Sequence, residues 1–305
     1  MTGINHLDTT PVHGYHADNM TALVFIKDLL IATFGQLAAL FAGVFIFGLL
    51  IHIVSQLTFK SLQRALGMKG VYLVAWLGTP IHELGHVLFC IIFLHKIETI
   101  KLFQPDPVTG TLGYVTHTWN KKNPWHLLGN FFIGVGPVLL GCAALLGLFY
   151  FLIPGSPKVW DSIIATTSQI TDGYSIGDYF NIFQESALPM LRAIFTLDNL
   201  GHWQFWIFLY LAVCVSSNVR LSWDDLKLTL RGLGCVVLPF LLVNLIAMLA
   251  GAGNEEFLPL TASSMGVVYS LFILALVLAV IGFVLIYLLS AVYVKLSQNR
   301  LLNPF

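Results

Sequence analysis

The sequence predicts an all-α membrane protein, a polytopic bundle of about six transmembrane helices with a small β-hairpin between the second and third spans. Hydrophobic residues occupy 57% of the 305 positions and charged residues only 10%. That polar fraction is too small to cover a soluble globule. Six stretches are apolar over the ~20 residues that a helix needs to cross the hydrocarbon core. These observations place the chain in a bilayer.

The six predicted spans are residues 29–56, 71–94, 125–153, 203–219, 233–250 and 264–296. Residues 1–28 form a polar N-terminal segment, and residues 29–305 form one membrane-embedded domain. The N-terminal segment lacks the basic start and short apolar core of a cleavable signal peptide, so we expect it to be retained.

Two connections between spans carry patterns of their own. Residues 96–103 alternate polar and apolar side chains, residues 105–110 have turn chemistry, and residues 111–118 resume a strand-like pattern. This predicts the hairpin. The connection of residues 154–202 is rich in Ser, Thr, Asp and Gly. At that length it is either a functional lid or partly helical at the membrane interface.

Basic residues predict the orientation of the chain, because cytoplasmic loops carry an excess of Lys and Arg. If the N-terminus is cytoplasmic, that side carries ten basic residues: Lys27, Lys96, Lys101, Lys121, Lys122, Arg220, Lys227, Arg231, Lys295 and Arg300. The opposite side carries five: Lys60, Arg64, Lys69, Lys158 and Arg192. Both termini are therefore expected in the cytoplasm. The net formal charge of zero argues against a nucleic-acid partner.

The second predicted span contains Gly78-Thr-Pro-Ile-His-Glu-Leu-Gly-His86. Side chains at i and i+4 lie one above the other on a helix, so His82 and His86 can share one metal ion. Glu83 can reach a metal-bound water and act as general base. Zinc lowers the pKa of such a water towards ~7 and polarises the scissile carbonyl. The motif predicts a zinc site with His82 and His86 as ligands and Glu83 as the catalytic residue.

Incidental polar residues in a packed helix are the alternative explanation of this motif. An ionisable residue at mid-bilayer costs roughly 2.5 to 3.5 kcal/mol, so three such residues close together require a compensating ligand. This cost favours the metal site. Pro80 lacks an N–H and is expected either to kink the span or to start a new helix with Thr79 as its cap.

Three stretches of the chain form a recognisable combination. They are His82-Glu-Leu-Gly-His86 within a span, the strand-like residues 96–102, and Gly134-Val-Gly-Pro137 in the next span. Over residues 71–145 this combination resembles the site-2 protease family of intramembrane zinc metalloproteases. The third stretch is similar to the family's Ala-Gly-Pro signature, although a glycine-rich helix that packs closely would have the same pattern.

The resemblance also implies a third zinc ligand, an aspartate that the family usually places in an Asp-Gly pair after an Asn-containing stretch. The nearest match is Ser216-Ser-Asn-Val-Arg-Leu-Ser-Trp-Asp-Asp-Leu-Lys227, in which the glycine is missing. Asp225 is the candidate ligand and Asp224 is the alternate. Asp225 also follows Ser222 by three positions, where it could complete a capping box for a helix that starts at Trp223. Both roles are open for Asp225.

Other polar side chains have less support as site residues. Asn130, just before the Gly-Pro element, could donate to a developing oxyanion, although such a residue is more often a helix-start or packing residue. His117 and His126 are either spare ligands or ordinary interfacial histidines. The cysteines all lie in apolar runs and are interpreted as small buried hydrophobic residues: Cys90, Cys142, Cys214 and Cys235.

The function expected from the sequence is that of an intramembrane zinc metalloprotease. It would hydrolyse peptide bonds of membrane proteins or membrane-associated peptides, with Zn²⁺ as cofactor and the lipid bilayer as its surroundings. The alternatives are a membrane protein that binds or transports a divalent metal without catalysis, and a catalytically silent scaffold. A transporter is expected to carry ionisable residues along several spans, whereas Asp and Glu are almost absent from the other five.

Overall fold

The computed structural model describes residues 22–159, 161, 188–251 and 254–303. Its elements in chain order are α1 Ala22–Leu66, α2 Met68–Ile92, β1 Lys96–Lys101, β2 Tyr114–Thr118, α3 Pro124–Leu152, α4 Leu188–Ile194, α5 Trp203–Ser216, α6 Trp223–Leu249 and α7 Asn254–Gln298. A short 3-10 turn, Asn199–Gly201, precedes α5. The protein is thus mainly helical with one small sheet, which confirms the predicted fold class at this level.

In the part of the chain that the structure describes, five helical segments are long and apolar enough to cross a membrane: Leu23–Leu66, Met68–Ile92, Pro124–Leu152, Trp223–Leu249 and Tyr269–Gln298. The remaining predicted span, residues 203–219, forms the shorter helix α5. At 14 residues and a rise of about 1.5 Å per residue, α5 is about 21 Å long, less than the ~30 Å hydrocarbon core. α5 ends at Ser216, where the apolar run gives way to Ser and Asn.

Three helices begin well before the predicted spans. α1 starts at Ala22, inside the segment expected to be a polar tail, and α7 starts at Asn254 rather than at residue 264. α6 starts at Trp223 rather than at residue 233, which is the helix start that the capping-box role of Asp225 predicted. Residues 1–21 lie outside the described part of the chain. So does most of the connection of residues 154–202. Its described part contains the short helix α4, so the connection is partly helical, while a lid and a position at the membrane interface stay predictions.

α2 runs through Pro80 without interruption, so of the two outcomes expected at Pro80 the new helix start at Thr79 is wrong. Thr79 is buried, and its Oγ1 donates a hydrogen bond to Asn218 Oδ1 at 3.4 Å. The surrounding helices hold α2 together although Pro80 contributes no backbone donor. As a result, His82, Glu83 and His86 all lie on one continuous helix.

Glycines bring α3 into close contact with α2 and α6. A Cβ added to Gly85 would lie 2.6 Å from Pro137 Cα, and one added to Gly134 would overlap Thr229 Oγ1. Small residues allow this kind of close approach between membrane helices. Gly134 and Pro137 belong to the Gly-Pro element, which therefore packs against both neighbours close to the motif histidines.

The main apolar core involves α1, α3, α5 and α7. Its fully buried aromatic side chains are Phe149, Phe208 and Phe272, one from each of the last three of these helices. Side chains of this size contribute about 1.5 to 3 kcal/mol each when they are fully removed from water. The core fixes α3, and α3 in turn supports the polar region between α2 and α6.

β1 and β2 form an antiparallel two-stranded sheet, which confirms the predicted hairpin. The register pairs Lys96 with Thr118 and Lys101 with Tyr114. Beyond the strands, Gln104 N–H donates to the carbonyl oxygen of Leu112 at 2.8 Å. Leu112 is 8% exposed and packs in an apolar cluster with residues of α1, α2 and α5. This contact anchors the hairpin to the helices.

Candidate metal centre

Three potential metal ligands from α2 and α6 converge next to α3. His86 Nε2 lies 3.1 Å from Asp225 Oδ1, and His82 Nε2 lies 3.6 Å from Asp225 Oδ2. One ligand atom from each residue lies within 4.8 Å of the other two. The structure therefore brings together His82, His86 and Asp225, the three residues that the sequence singled out as possible ligands.

The spacing of these atoms fits a tetrahedral metal ion. Ligands at about 2.0 to 2.2 Å from a tetrahedral zinc ion lie about 3.4 Å from one another. The two measured N···O separations, 3.1 and 3.6 Å, fall on either side of that value. Two imidazoles and one carboxylate are also a donor set of catalytic zinc sites, in which a fourth position stays open. The side chains present can hold a metal ion, although their chemistry does not by itself identify it.

Backbone carbonyls determine which nitrogen of each histidine faces this centre. His82 Nδ1 lies 3.0 Å from the carbonyl oxygen of Asn218, and His86 Nδ1 lies 2.8 Å from that of Ile133. Because a carbonyl oxygen only accepts, each Nδ1 carries the proton and donates. The neutral rings therefore present unprotonated Nε2 atoms to the centre, and this arrangement is typical of metal-ligating histidines.

Asp225 combines the two roles that the sequence left open. Its Oδ2 accepts a hydrogen bond from Ser222 N–H at 2.9 Å, and Ser222 Oγ accepts one from Asp225 N–H at 3.2 Å. This reciprocal pair is a capping box at the start of α6. The same carboxylate faces His82 and His86. Capping and a contact with the histidines are therefore compatible, and the capping box orients the carboxylate towards them.

The neighbouring Asp224 is directed away from the histidines. Its side chain is 91% exposed, and its Oδ1 accepts a hydrogen bond from Lys227 Nζ at 3.0 Å. Successive side chains on a helix point about 100° apart, so only one of two adjacent residues can face a given neighbour. Asp224 lies at the rim of the site and not among the converging atoms.

A cleft of about 430 Å³ opens beside the three converging side chains. Glu83 lines this cleft and is itself 7% exposed. Residues 110–115, which lead into β2, line another part of it. A buried carboxylate next to the candidate metal centre and a partly exposed stretch of polypeptide thus line the same cleft.

Two cleft residues were not selected from the sequence, although both lie in the Asn-containing stretch before Asp225. The carbonyl of Asn218 anchors His82, while its Nδ2 donates to the carbonyl oxygen of Cys214 at 3.0 Å. The half-buried Arg220 guanidinium lines the cleft, 5.5 Å from the ring centroid of Phe59. It forms no ion pair with a carboxylate of the described residues.

Asn130, the predicted oxyanion donor, does not line the cleft. It is fully buried in α3, one turn before Ile133, and neither side-chain polar atom has a hydrogen-bond partner in the described part of the chain. A buried polar group without a partner costs about 1 to 3 kcal/mol. Nothing in the structure explains why an amide occupies this position.

The centre can hold a divalent ion through two neutral imidazoles and a carboxylate. Glu83 can exchange a proton beside it, and Arg220 supplies a fixed positive charge.

No family model, no curated protein and no solved structure matches this chain. Function is therefore inferred from the side chains of this site and from the sequence motifs.

Proposed function

We propose that this chain is a zinc metalloprotease of site-2 protease type, which cleaves peptide bonds within or beside a membrane. One observation carries the proposal. Both motif histidines donate through Nδ1 to backbone carbonyls and present Nε2 to the carboxylate of Asp225.

That arrangement requires a cation between the side chains. An unprotonated Nε2 and a carboxylate oxygen 3.1 Å apart are two acceptors and repel each other, unless a proton or a metal ion lies between them. Bridging by protons requires one proton on each imidazole, which would place two positively charged rings beside a single buried carboxylate. One metal ion can bind both neutral imidazoles and the carboxylate, so it satisfies all three groups at once.

Glu83 is the general base of the proposed reaction. A zinc ion held by His82, His86 and Asp225 would supply Lewis-acid chemistry, since it would lower the pKa of water at the site to about 7 and polarise a carbonyl group. The Glu83 carboxylate accepts the proton of the attacking water and transfers it to the leaving amine nitrogen. The positive charge of Arg220, on the same cleft, stabilises the negative charge that develops on the carbonyl oxygen.

The proposed topology has six spans, formed by the five long helices and α5, with both termini in the cytoplasm. α5 is short for a span, but the loop that follows it lines the cleft at Asn218 and Arg220. Irregular backbone is tolerated at membrane depth where it lines a water-containing cavity. A cleft that admits water would therefore satisfy the backbone of this loop and also supply the reacting water.

The substrates are membrane proteins or membrane-associated peptides that present an extended stretch to the cleft. A helical substrate shields its carbonyls with its own hydrogen bonds, so the scissile region must be unwound. Residues 110–115 line the cleft, and their backbone can pair with an extended substrate as an added strand.

The test compares the purified wild-type protein with Glu83→Gln. Each is incubated in liposomes with detergent-extracted membrane proteins of the expression host, and new protein N-termini are identified by mass spectrometry. We expect new termini only with the wild-type protein, because the amide cannot accept the proton of the water. Metal content should be equal in both, since Glu83 is not a ligand.

Two outcomes would overturn the proposal. Identical sets of termini with equal metal content would indicate a metal-binding scaffold. Movement of the metal across the liposome membrane, with no cleavage by either protein, would indicate a transporter.

A further inference from the structure

A second cluster of metal-binding side chains lies where the hairpin meets the end of α2. Cys90 is in the last turns of α2, His95 lies between α2 and β1, and His117 is on β2. One ligand atom from each lies within 4.8 Å of the other two. Cys90 is fully buried and His95 is 5% exposed, so the cluster is largely shielded from solvent.

The hydrogen bonds of His95 show which of its nitrogens is available. Its Nε2 lies 2.8 Å from the carbonyl oxygen of His126 and must donate to it. The neutral ring therefore has an unprotonated Nδ1, and this atom faces Nδ1 of His117 at 3.0 Å. The same device, a ring N–H donated to a backbone carbonyl, orients His82 and His86 at the first centre.

The His95–His117 contact has two physical explanations. Either His117 donates its Nδ1 proton to His95, or both nitrogens direct their lone pairs at one ion, for which a separation of about 3.4 Å is normal. The measured 3.0 Å is compatible with either explanation, and Cys90 supplies a third donor atom that can reach the same ion.

Aromatic packing encloses the cluster on one side. The Trp119 ring stacks on His95 with centroids 5.8 Å apart and an interplanar angle of 14°, and it lies 5.5 Å from the His117 ring. An apolar cover of this kind limits access of water and strengthens binding of an ion by charged and polar donors.

We propose that Cys90, His95 and His117 bind a second metal ion, a thiophilic divalent ion such as zinc. The three donors come from α2, from the residues after it and from β2, so the ion links the hairpin to the end of the helix that carries the motif. Residues 114 and 115, earlier in β2, line the cleft. The second ion thus has a structural role, in which it holds this part of the cleft wall in position.

The two centres differ in one property that an experiment can read. Cys90 contributes sulfur to the second site, whereas the first site has only nitrogen and oxygen donors. Soft thiolate ligands favour zinc and other thiophilic metals. Cobalt(II) that replaces the ion should therefore show a thiolate-to-metal charge-transfer band in the near ultraviolet only when Cys90 is a ligand.

Metal content of the full-length protein in detergent tests the proposal. We expect two ions per chain in the wild type, one in Cys90→Ser, one in His82→Ala, and none in the double variant. Cys235→Ser, which changes a cysteine outside the cluster, should keep two. The ion that remains in Cys90→Ser shows that the first centre, and with it the fold, is intact.

Cobalt substitution gives an independent readout. The charge-transfer band should be present in the wild type and in His82→Ala, and absent in Cys90→Ser and His117→Ala. The proposal is wrong if the wild type lacks the band, or if Cys90→Ser keeps the metal content of the wild type; the cluster is then a hydrogen-bonded histidine pair beside a buried thiol. Loss of the ion in His82→Ala would still be observed in that case, so the two centres succeed or fail separately.

Discussion

α2 contributes to two spaces of similar size but opposite chemistry. One is the cleft of about 430 Å³ lined by His82 and Glu83, and the other is a groove of about 500 Å³ lined by Leu73 and Val74. Aliphatic and aromatic side chains of α1, α5 and α7 complete the groove. Volume alone does not distinguish the two spaces, so the nature of the lining must identify the functional one.

Polar groups in the two regions are satisfied in different ways. At the groove, Trp76 Nε1 donates to Tyr210 OH at 2.9 Å, and that hydroxyl donates to the carbonyl oxygen of Leu73 at 2.8 Å. These bonds leave little for a ligand. At the cleft, backbone carbonyls hold Nδ1 of His82 and Nδ1 of His86, and Nε2 of each ring stays available for a ligand. A site is recognised by oriented side chains with unused donor or acceptor atoms.

Among changes in the cleft and the groove, His86→Ala is expected to have the largest effect on metal content and cleavage. The variant removes one of three ligands at the first centre, and we expect it to lose that ion. Cleavage should fall by at least about a thousandfold, because metal ions contribute several kcal/mol to transition-state stabilisation. Metal analysis combined with a cleavage assay measures both losses. Retention of the ion would contradict the ligand role.

Asp225→Asn separates the two roles of Asp225, helix capping and metal binding. Asn caps a helix nearly as well as Asp, so thermal stability without metal should change by well under ~1 kcal/mol. Metal affinity should fall by more than the ~10–100-fold that loss of an outer-shell partner costs. Asp224→Asn is the matched control, since its exposed side chain faces away, and its metal affinity should equal that of the wild type. The reverse pattern would transfer the ligand role to Asp224.

A smaller effect on cleavage is expected from a change in residues 110–115, which form one wall of the cleft. A Cβ added to Gly113 would lie 2.7 Å from the carbonyl oxygens of Lys101 and Leu102, so Gly113→Ala must displace the wall. Displacements approaching 1 Å reduce rates by up to about a hundredfold. We expect kcat/KM to fall about tenfold, with metal content unchanged. Val108→Ala, at a position that is 94% exposed, should match the wild type; an equal loss in both variants would argue against a specific wall.

The smallest effect is expected at the groove. Leu73 is 58% exposed on the apolar surface, and lipid tails replace such a side chain at little cost. Leu73→Ala should keep metal content, keep cleavage within about twofold, and change stability by no more than ~0.5 kcal/mol. A tenfold loss of cleavage with normal stability would show that the groove binds substrate, and the contrast between the two spaces would then be wrong.

Local patterns of the sequence were enough to predict the helices, the hairpin and the relation of His82 to His86. The four-residue offset places both rings on one face of any α-helix, and the alternation of residues 96–103 implies a strand in almost any context. Of the two outcomes expected at Pro80, the new helix start at Thr79 was wrong, because packing of α2 against its neighbours keeps the helix continuous there.

Contacts between residues that are distant in the sequence could not be predicted from local patterns. Asn218 anchors His82 through its backbone carbonyl, which carries no residue-specific signal in a sequence. Cys90, considered alone, has the pattern of an ordinary buried cysteine. Only the arrangement of β2 beside the end of α2 brings His117 next to it. Arg220 lies in the Asn-containing stretch before Asp225, but nothing local indicates that a cation there lines a cleft.

The sequence by itself determined that the chain is apolar, helical and equipped with a His-Glu-x-x-His motif, because composition and helical periodicity are properties of neighbouring residues. Only the tertiary structure decided that Asp225, and not Asp224, joins the histidines. That choice depends on the angle at which α6 starts, which the Ser222 capping box sets, and on the close contact of α6 with Gly134 of α3. Convergence of side chains from distant helices is a property of packing, which no local pattern contains.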